Sequence, residues 1–392
     1  MARMGESKRY FIRTFGCQQN TADSERIASY YEARGFTPAE TSDQADLIVI
    51  NTCMVRDQAE ERVYGLIRNV RESNPDVDIV VTGCLVGAVA REPSGEMARK
   101  VAARLPDVTL LPIEEVGFEH LPKRAEGRLA SVVIGNGCGN FCSYCIVPYS
   151  RGQEVSRPFQ DIVREVEGAV AGGKDEILLL GQNVNSYGAD FLRDRIGEGE
   201  EYALPDGRSV RPIMVNHLGK HRIPTLFPYL LETVAELPGV AKVSFLSSNP
   251  WDFSDELISV IADHPNIDRT LHLPVQSGSD AVLRTMNRWY TRDEYLDLVD
   301  RIRSAVPDVE LTTDIIVGFP GESEEDFEAT MDLVRRVKFH KAFIARYSPR
   351  PGTASAEGMP DDVPAEEKKR RFHALDRLVL TLSGREYLLE KR

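Results

Sequence analysis

Residues 45–52, ADLIVINT, hold the unbroken apolar run LIVI (47–50). A strand with one wet face alternates apolar and polar residues, so an unbroken run of this kind belongs in a sheet covered on both faces. KRYFIRTF (8–15) and DVDIVVTG (76–83) read as strands on either side of it. Helical patterns fill the gaps: ADSERIASYYEARGF (22–36), ended by Gly35, and a stretch over roughly 56–72. Strand, helix, strand, helix, strand implies a parallel sheet with right-handed crossovers. The carboxyl ends of parallel strands share one edge, where ligands bind. Just past these three ends lie Cys17, Cys53 and Cys84. They are either three separate buried thiols or one convergent set. Their common place after three successive strands favours convergence.

Residues 86–128 are expected to hold a last strand, a helix and a linker. A second alternating series opens at LASVVIGNG (129–137). It predicts strands at 131–136, 176–181, 242–247, 270–275, 310–317 and 342–348, with helices at 159–171, 254–263, 291–304 and 323–337 among those between them. Six such units make an open, partial barrel, because a closed eight-unit barrel takes about 250 residues. Residues 189–224 have little apolar periodicity and many charges, and read as a surface excursion or lid. The tail AEEKKRRFHALDRLVLTLSGREYLLEKR reads as one helix, its apolar portion marked by Leu378, Leu380 and Leu382. The expected fold is therefore α/β: a parallel-sheet domain over 1–127, a partial (β/α)6 barrel over 128–365 and a helix over 366–392.

No apolar run approaches the roughly 18 residues of a membrane span. The amino terminus lacks the apolar core of a secretory signal, so a cytoplasmic protein is expected. In a reducing compartment, six cysteines in 392 residues are free for metal or catalysis rather than disulfides. The net charge of −13 weighs against general affinity for nucleic acid, which needs clustered Lys and Arg.

GCGNFCSYCIVPYSRG (137–152) holds Cys138, Cys142 and Cys145. Structural zinc wants four ligands, commonly in paired C-x2-C units. Here the next cysteine upstream is Cys84, none lies downstream, and His120 is across the linker. A disulfide with a thiol left over does not suit a reducing compartment. An iron–sulfur cluster is normally held by four thiolates; on three, one iron stays open to a substrate. C-x3-C-x2-C after the first strand of a βα barrel resembles the radical S-adenosylmethionine (SAM) superfamily. That resemblance implies that the amino and carboxylate groups of SAM fill the open position. One electron then splits the sulfonium, releasing a 5′-deoxyadenosyl radical. It also implies contacts to SAM from Gly181, Gln182 and Asn183 after the second strand, Ser247 and Asn249 after the third, Gln276 after the fourth, and Gly318 in the turn GFPGE after the fifth. Taken singly, each polar residue fits an ordinary turn or cap equally well. Tyr144 is either a core aromatic or a neighbour of the adenine.

TFGCQQNTADSERI, ADLIVINTCMVRDQAEERV, VTGCLVGA and GCGNFCSYCIVPYSRGQEVSRP together resemble the methylthiotransferases, radical SAM enzymes with an extra amino-terminal domain. The resemblance covers residues 8 to about 375, broken by the insertion. It implies two 4Fe-4S clusters: an auxiliary one on Cys17, Cys53 and Cys84, and a SAM-binding one on Cys138, Cys142 and Cys145. One SAM would methylate sulfur held at the auxiliary cluster and a second would supply the radical. GCQQNTADSE, GQNVNSYG, RGQEVSRP and YSPRPGTAS look most like the branch that methylthiolates C2 of isopentenylated adenosine at position 37 of tRNA. Alternatives are the branch acting on threonylcarbamoyladenosine, the branch acting on an aspartate of ribosomal protein S12, and a catalytically silent iron–sulfur protein that binds RNA. The implied partners are a tRNA anticodon stem-loop and an electron donor such as flavodoxin or ferredoxin, with no membrane and a monomeric chain. Arg151, Arg157, Arg346 and Arg350 are the candidate phosphate contacts. In the insertion, Arg208, Arg211, Lys220, His221 and Arg222 either touch RNA or stand in solvent. The sequence departs from the family at Gly139, where a second Asn is usual, and after Cys84, where a polar tail is common. It also ends at Arg392 without the strand-rich RNA-binding TRAM domain usual in the family.

Overall fold

A computed structural model describes residues 7–54, 57–193, 201–217 and 221–385. The chain divides into two units: Met1–Gly127 with Ile146–Gln153, and Arg128–Cys145 with Glu154–Arg392.

The first unit is the βα series: β1 (Arg9–Thr14), α1 (Gln18–Glu32), β2 (Leu47–Thr52), α2 (Asp57–Ser73), β3 (Asp78–Gly83), α3 (Cys84–Arg91), α4 (Glu96–Arg104) and β4 (Thr109–Leu111). Thr37–Pro38 forms an edge, and the sheet runs edge, β1, β2, β3, β4, all parallel. All six residues of β2 are buried, because successive side chains serve two cores. Ile48 and Ile50 pack with Ile79, Val81 and the α2 residues Val63 and Ile67. Leu47 and Val49 pack with Tyr10, Val80 and the α1 residues Ile27 and Tyr31. The register sets Thr14 beside Asn51 and Thr52 beside Gly83, so the three strands end level. Residues 86–128 hold more helix than expected: β3 runs directly into α3, whose first residue is Cys84, and α4 follows. A short helix, α5 (Val147–Arg151), also belongs to this unit and packs on α3. A methyl group at Gly87 would collide with the Ser150 carbonyl, so glycine permits this close approach.

The second unit contains β5 (Leu129–Val133), α6 (Phe159–Ala171), β6 (Glu176–Leu180), α7 (Phe227–Glu236), β7 (Lys242–Phe245), α8 (Asp255–Asp263), β8 (Thr270–His272), α9 (Arg292–Ala305), β9 (Glu310–Val317), α10 (Glu324–Val337), β10 (Lys341–Arg346) and α11 (Ala365–Leu382). β5, β6 and β7 form one parallel sheet and β8, β9 and β10 another. A parallel bridge between Val243 and Ile267 joins them, giving the open six-stranded barrel. Val132, Leu179, Val243, Leu271 and Ile315 face the surrounding helices in one core. Ser254, Thr291 and Ser323 cap α8, α9 and α10, the last two through full capping boxes. β8 stops short of the expected 275 because Pro274 has no amide proton and the Val275 amide donates to Thr313 Oγ1 instead.

Two expectations change here. The tail helix is not a separate element: Leu375 and Val379 are buried in the barrel core, and α11 packs on β10 and α10. The insertion is not structureless. Tyr202–Ala203 pairs with Ser209–Val210, and Ile213–His217 with His221–Thr225, as antiparallel hairpins. Ile213, Val215 and Ile223 bury against Ala189. Period-two spacing over such short strands is too brief to stand out among charges. Residues 194–200 and 218–220, Lys220 included, lie outside the described residues.

Candidate active site

In the first unit, the three strand ends bring Cys17, Cys53 and Cys84 to one edge. Gly16 holds φ +136°, and a Cβ there would lie 2.9 Å from Cys53 Cβ. Gly83 holds φ +86°, and a Cβ there would lie 2.5 Å from the Thr52 carbonyl and collide with Asn51. The residue before each outer cysteine thus touches the strand end that carries the middle one. Side chains lock this arrangement. Asn20 Nδ2 donates to Asn51 Oδ1 (3.0 Å) and to the Thr52 carbonyl (2.9 Å), and its Oδ1 accepts from the Cys17 thiol (3.3 Å). Thr52 Oγ1 donates to the Thr82 carbonyl and accepts from the Leu85 amide. Cys53 and Cys84 are buried and Cys17 is exposed. Sequence reading left out Asn20, Asn51 and Thr52; Asn51 and Thr52 close the apolar run of β2, which was their signal, while Asn20 lies among polar residues of α1 and had none.

In the second unit, Cys138 and Cys142 are buried and Cys145 is half-buried. The loop they share is stitched to residues 285–287. The Ser143 amide donates to the Met286 carbonyl (3.0 Å), Ser143 Oγ to the Thr285 carbonyl (2.9 Å) and Asn287 Nδ2 to the Phe141 carbonyl (2.9 Å). Burial above all pushes the Cys138 thiol up, and the neighbouring Cys145 and Cys142 add to it; a bound metal reverses this by holding the thiolate. Arg288, which sequence reading did not single out, lies beside this loop and reaches Cys142 Sγ at 3.7 Å.

The strand-end residues have distinct fates. Gly181, Gln182 and Asn183 line a small cleft with Gly135, Gly137 and Tyr187. Gln182 Oε1 accepts from the Gly137 amide at 2.6 Å, which fixes the backbone just before Cys138. Asn183 Nδ2 donates to Asp252 Oδ2 at 2.8 Å. Ser247 (φ +70°) and Gln276 (φ +66°) are non-glycine residues in the left-handed region. Such strain gathers at functional sites. Tyr144 stands edge-on to Phe319 in a small apolar cluster with Tyr347. Gly318 donates its amide to Glu322 Oε2 (2.6 Å), and its Cα faces the Lys368 side chain.

Both cradles suit the groups their cysteines imply. Buried polar atoms without a hydrogen-bond partner are rare in folded proteins. Among the described residues several lie in the cysteine loop or at the strand ends: both amide atoms of Gln19 and Thr82 Oγ1 in the first unit, and Asn140 Oδ1, Asn183 Oδ1, Asn185 Oδ1, Ser248 Oγ and Trp251 Nε1 in the second; others, such as Arg292 Nε and Glu322 Oε1, lie elsewhere. The second set lies in the cysteine loop and after β6 and β7, where the amino acid end of SAM would need polar partners.

Two of the four candidate phosphate contacts are corrected. Arg151 is 4% exposed and pairs with Asp23 at 2.8 Å. Arg157 is 7% exposed and donates to Glu165 (2.6 Å) and to the Val133 carbonyl (2.7 Å). Neither guanidinium is presented to a ligand. Arg346 is exposed and Arg350 half-buried. In the insertion, Arg208 is engaged by Asp206 and Glu232.

A family model described as the Radical SAM superfamily matches residues 132–334, and one described as Uncharacterized protein family UPF0004 matches residues 9–102. Among solved structures, the radical S-adenosylmethionine methyltransferase TsrM from Kitasatospora setae, with cobalamin and a 4Fe-4S cluster bound, has a TM-score of 0.56 at 13% identity, covering 90% of this chain and 77% of that one. The cobalamin-dependent S-adenosylmethionine radical enzyme OxsB has a TM-score of 0.53 at 11% identity, covering 96% of this chain and 56% of that one. At such identities the likeness concerns the fold alone. Fold, cysteine motif and superfamily match together make this chain a radical SAM enzyme. A tRNA-2-methylthio-N(6)-dimethylallyladenosine synthase of Acidothermus cellulolyticus is 42% identical over 397 residues, 94% of this chain and 73% of that protein. The synthases of the same name from Caldicellulosiruptor saccharolyticus (42% over 406 residues, 96% and 78%) and Chromobacterium violaceum (40% over 398 residues, 95% and 83%) are similar. The chain belongs to the family of these synthases.

Proposed function

We propose that this protein transfers a methylthio group to C2 of N6-isopentenyladenosine at position 37 of tRNA, consuming two SAM. One observation carries the reading: two cradles, each with three cysteines and its own group of unpartnered buried polar atoms. The name shared by the relatives is that of the isopentenyl branch, which supports it over the threonylcarbamoyl, ribosomal-protein and non-enzymatic alternatives.

In this reading Cys17, Cys53 and Cys84 hold the auxiliary 4Fe-4S cluster, and Cys138, Cys142 and Cys145 the SAM-binding one. Bound there, the clusters and SAM supply the radical and the methylated sulfur. The chain's own residues supply position. Asn20, Asn51 and Thr52 hold the three strand ends of the first cradle level. Gln182 holds the backbone before Cys138. Asn183, Ser247, Gln276 and the backbone at Gly181 offer polar contacts to SAM, and the cluster of Tyr144 and Phe319 near Gly318 offers an apolar wall to its adenine. Arg346, the last residue of β10, and Arg350, shortly after it, are the proposed phosphate contacts. A flavodoxin or ferredoxin is the proposed electron donor, and a monomeric chain in the cytoplasm the proposed setting. Among the described residues no helix is long and apolar enough to cross a membrane. Residues 1–127 are proposed as the methylthiotransferase domain and 128–365 as the barrel.

The experiment is nucleoside mass spectrometry of tRNA from cells lacking this gene, with and without the gene restored. The expected result is loss of the 2-methylthio form of isopentenyladenosine and accumulation of its unthiolated precursor. An unchanged nucleoside profile would exclude the reading, and loss of the threonylcarbamoyl derivative would move it to the other branch.

A further inference from the structure

Among the described residues five arginines are buried: Arg26, Arg151, Arg157, Arg288 and Arg371. Four have a carboxylate in hydrogen-bonding reach. Arg26 pairs with Asp23 at 3.1 Å, Arg151 with Asp23 at 2.8 Å, Arg157 with Glu165 at 2.6 Å and Arg371 with Glu322 at 2.7 Å. Arg288 is the exception. At 3% exposure, its guanidinium donates from Nη2 to the Pro274 carbonyl (2.9 Å), from Nε to Tyr290 Oη (3.0 Å), and from Nη1 to Tyr144 Oη (3.4 Å) and Cys142 Sγ (3.7 Å). It also lies over the rings of Trp251 (4.8 Å) and Tyr290 (5.3 Å). Among the described residues it has no acidic partner. A buried guanidinium without an anion is costly, so this site is built for a negative charge that the polypeptide's carboxylates do not provide.

Beyond the Tyr290 and Tyr144 hydroxyls, the group in reach that can carry that charge is the Cys142 sulfur, as a thiolate once iron binds. We propose that Arg288 is a positioning residue for the SAM-binding cluster: it donates a charge-assisted hydrogen bond to the Cys142 sulfur and makes that cluster easier to reduce. The inference rests on the proposed function above. Hydrogen bonds to the sulfurs and nearby charge are among the determinants of an iron–sulfur potential. A fixed positive charge favours the state with one more electron. That step takes one electron from the one-electron donor, and Arg288 keeps its proton throughout, as arginines in proteins do. The alternative anion is the SAM carboxylate. Four of the five N–H donors of Arg288 are already committed, and the fork is therefore not free to receive a carboxylate bidentately.

The test is an anaerobic redox titration of the reconstituted full chain, followed by electron paramagnetic resonance. The signal that changes on adding SAM identifies the SAM-binding cluster. For Arg288→Met with full iron content, the ratio of reduced to oxidised cluster at the midpoint of the unmodified chain should fall about tenfold. For a one-electron couple that is ~59 mV. Arg288→Lys keeps the charge and loses the fork, so its midpoint should lie between the two; it carries the test if the Met variant does not load iron. SAM affinity should change less than twofold in both. An unchanged midpoint in a fully loaded variant would overturn the proposal. So would an unchanged midpoint with weakened SAM binding, which would assign Arg288 to the SAM carboxylate. A reconstituted chain with no SAM-sensitive signal at all would instead overturn the functional reading beneath it.

Discussion

The two cysteine cradles are built by opposite strategies. Cys17, Cys53 and Cys84 are scattered over 68 residues of sequence and meet because three parallel strands end at one level. Cys138, Cys142 and Cys145 share one loop, and their surroundings come from far away, at 285–288. Each cradle has one buried arginine at a cysteine. Arg151 is neutralised by Asp23, itself fully buried, and its charge is raised in stability by Asp23 and Cys84 against the opposing effect of burial, which is the largest influence on it. Among the described residues Arg288 has no carboxylate partner. Arg151 thus serves the protein's own architecture, while Arg288 keeps its charge for whatever the thiolates carry.

The largest expected effect separates the cradles by function. Cys138→Ala should abolish formation of 5′-deoxyadenosine, measured by chromatography, whereas Cys53→Ala should keep part of it and lose all methylthio product. Equal losses would show that the two cradles are not functionally separate. Next comes stability. Arg151→Met leaves Asp23 buried with only Arg26 to pair it, and should lower the unfolding free energy of the apoprotein by about 3 kcal/mol. Arg288→Met strands no carboxylate and should cost the apoprotein about 1 kcal/mol. Urea melts of both variants check the contrast. The glycines give a smaller one. Gly83→Ala combines positive φ with a collision at Asn51, and should cost about 2 kcal/mol while lowering iron content in the first cradle. Gly181→Ala meets Val184 Cγ1 at 3.3 Å and Ile134 Cγ1 at 3.8 Å, one tight and one ordinary contact with side chains, and should cost less than about 1 kcal/mol. Thermal melts and iron assays separate the two. The smallest effect is at the barrel strand end: Arg346→Ala, at an exposed position, should leave stability unchanged and weaken tRNA binding by about 1 kcal/mol, with a salt dependence shallower by about one ion.

Much of the fold was legible along the chain. β9 and α6 occupy the residues expected of them, because period-two and period-3.6 patterns report burial directly. The six cysteines were legible because a metal-binding residue type is rare enough for spacing to carry meaning. The arginines were not. A positive charge beside a motif invites a phosphate, yet Arg151 finds its partner 128 residues away, and Arg157 finds Glu165 one helix face along. Nothing in the local sequence reports that a distant carboxylate closes over a guanidinium. The hairpins of the insertion stayed hidden for a related reason: their strands are short, and their few apolar residues pack on Ala189 and one another rather than on a long periodic face.

Local pattern was enough to choose parallel strands, an open barrel and two sets of three thiols, since each depends on residue type and spacing alone. Three-dimensional packing alone assigned Ile146–Gln153 to the first unit, seated Gly87 against Ser150, and left Arg288, among the described residues, as the one buried arginine without an acid. Those outcomes depend on which distant groups meet inside a medium that penalises unpaired charge, and meeting is a property of the folded chain.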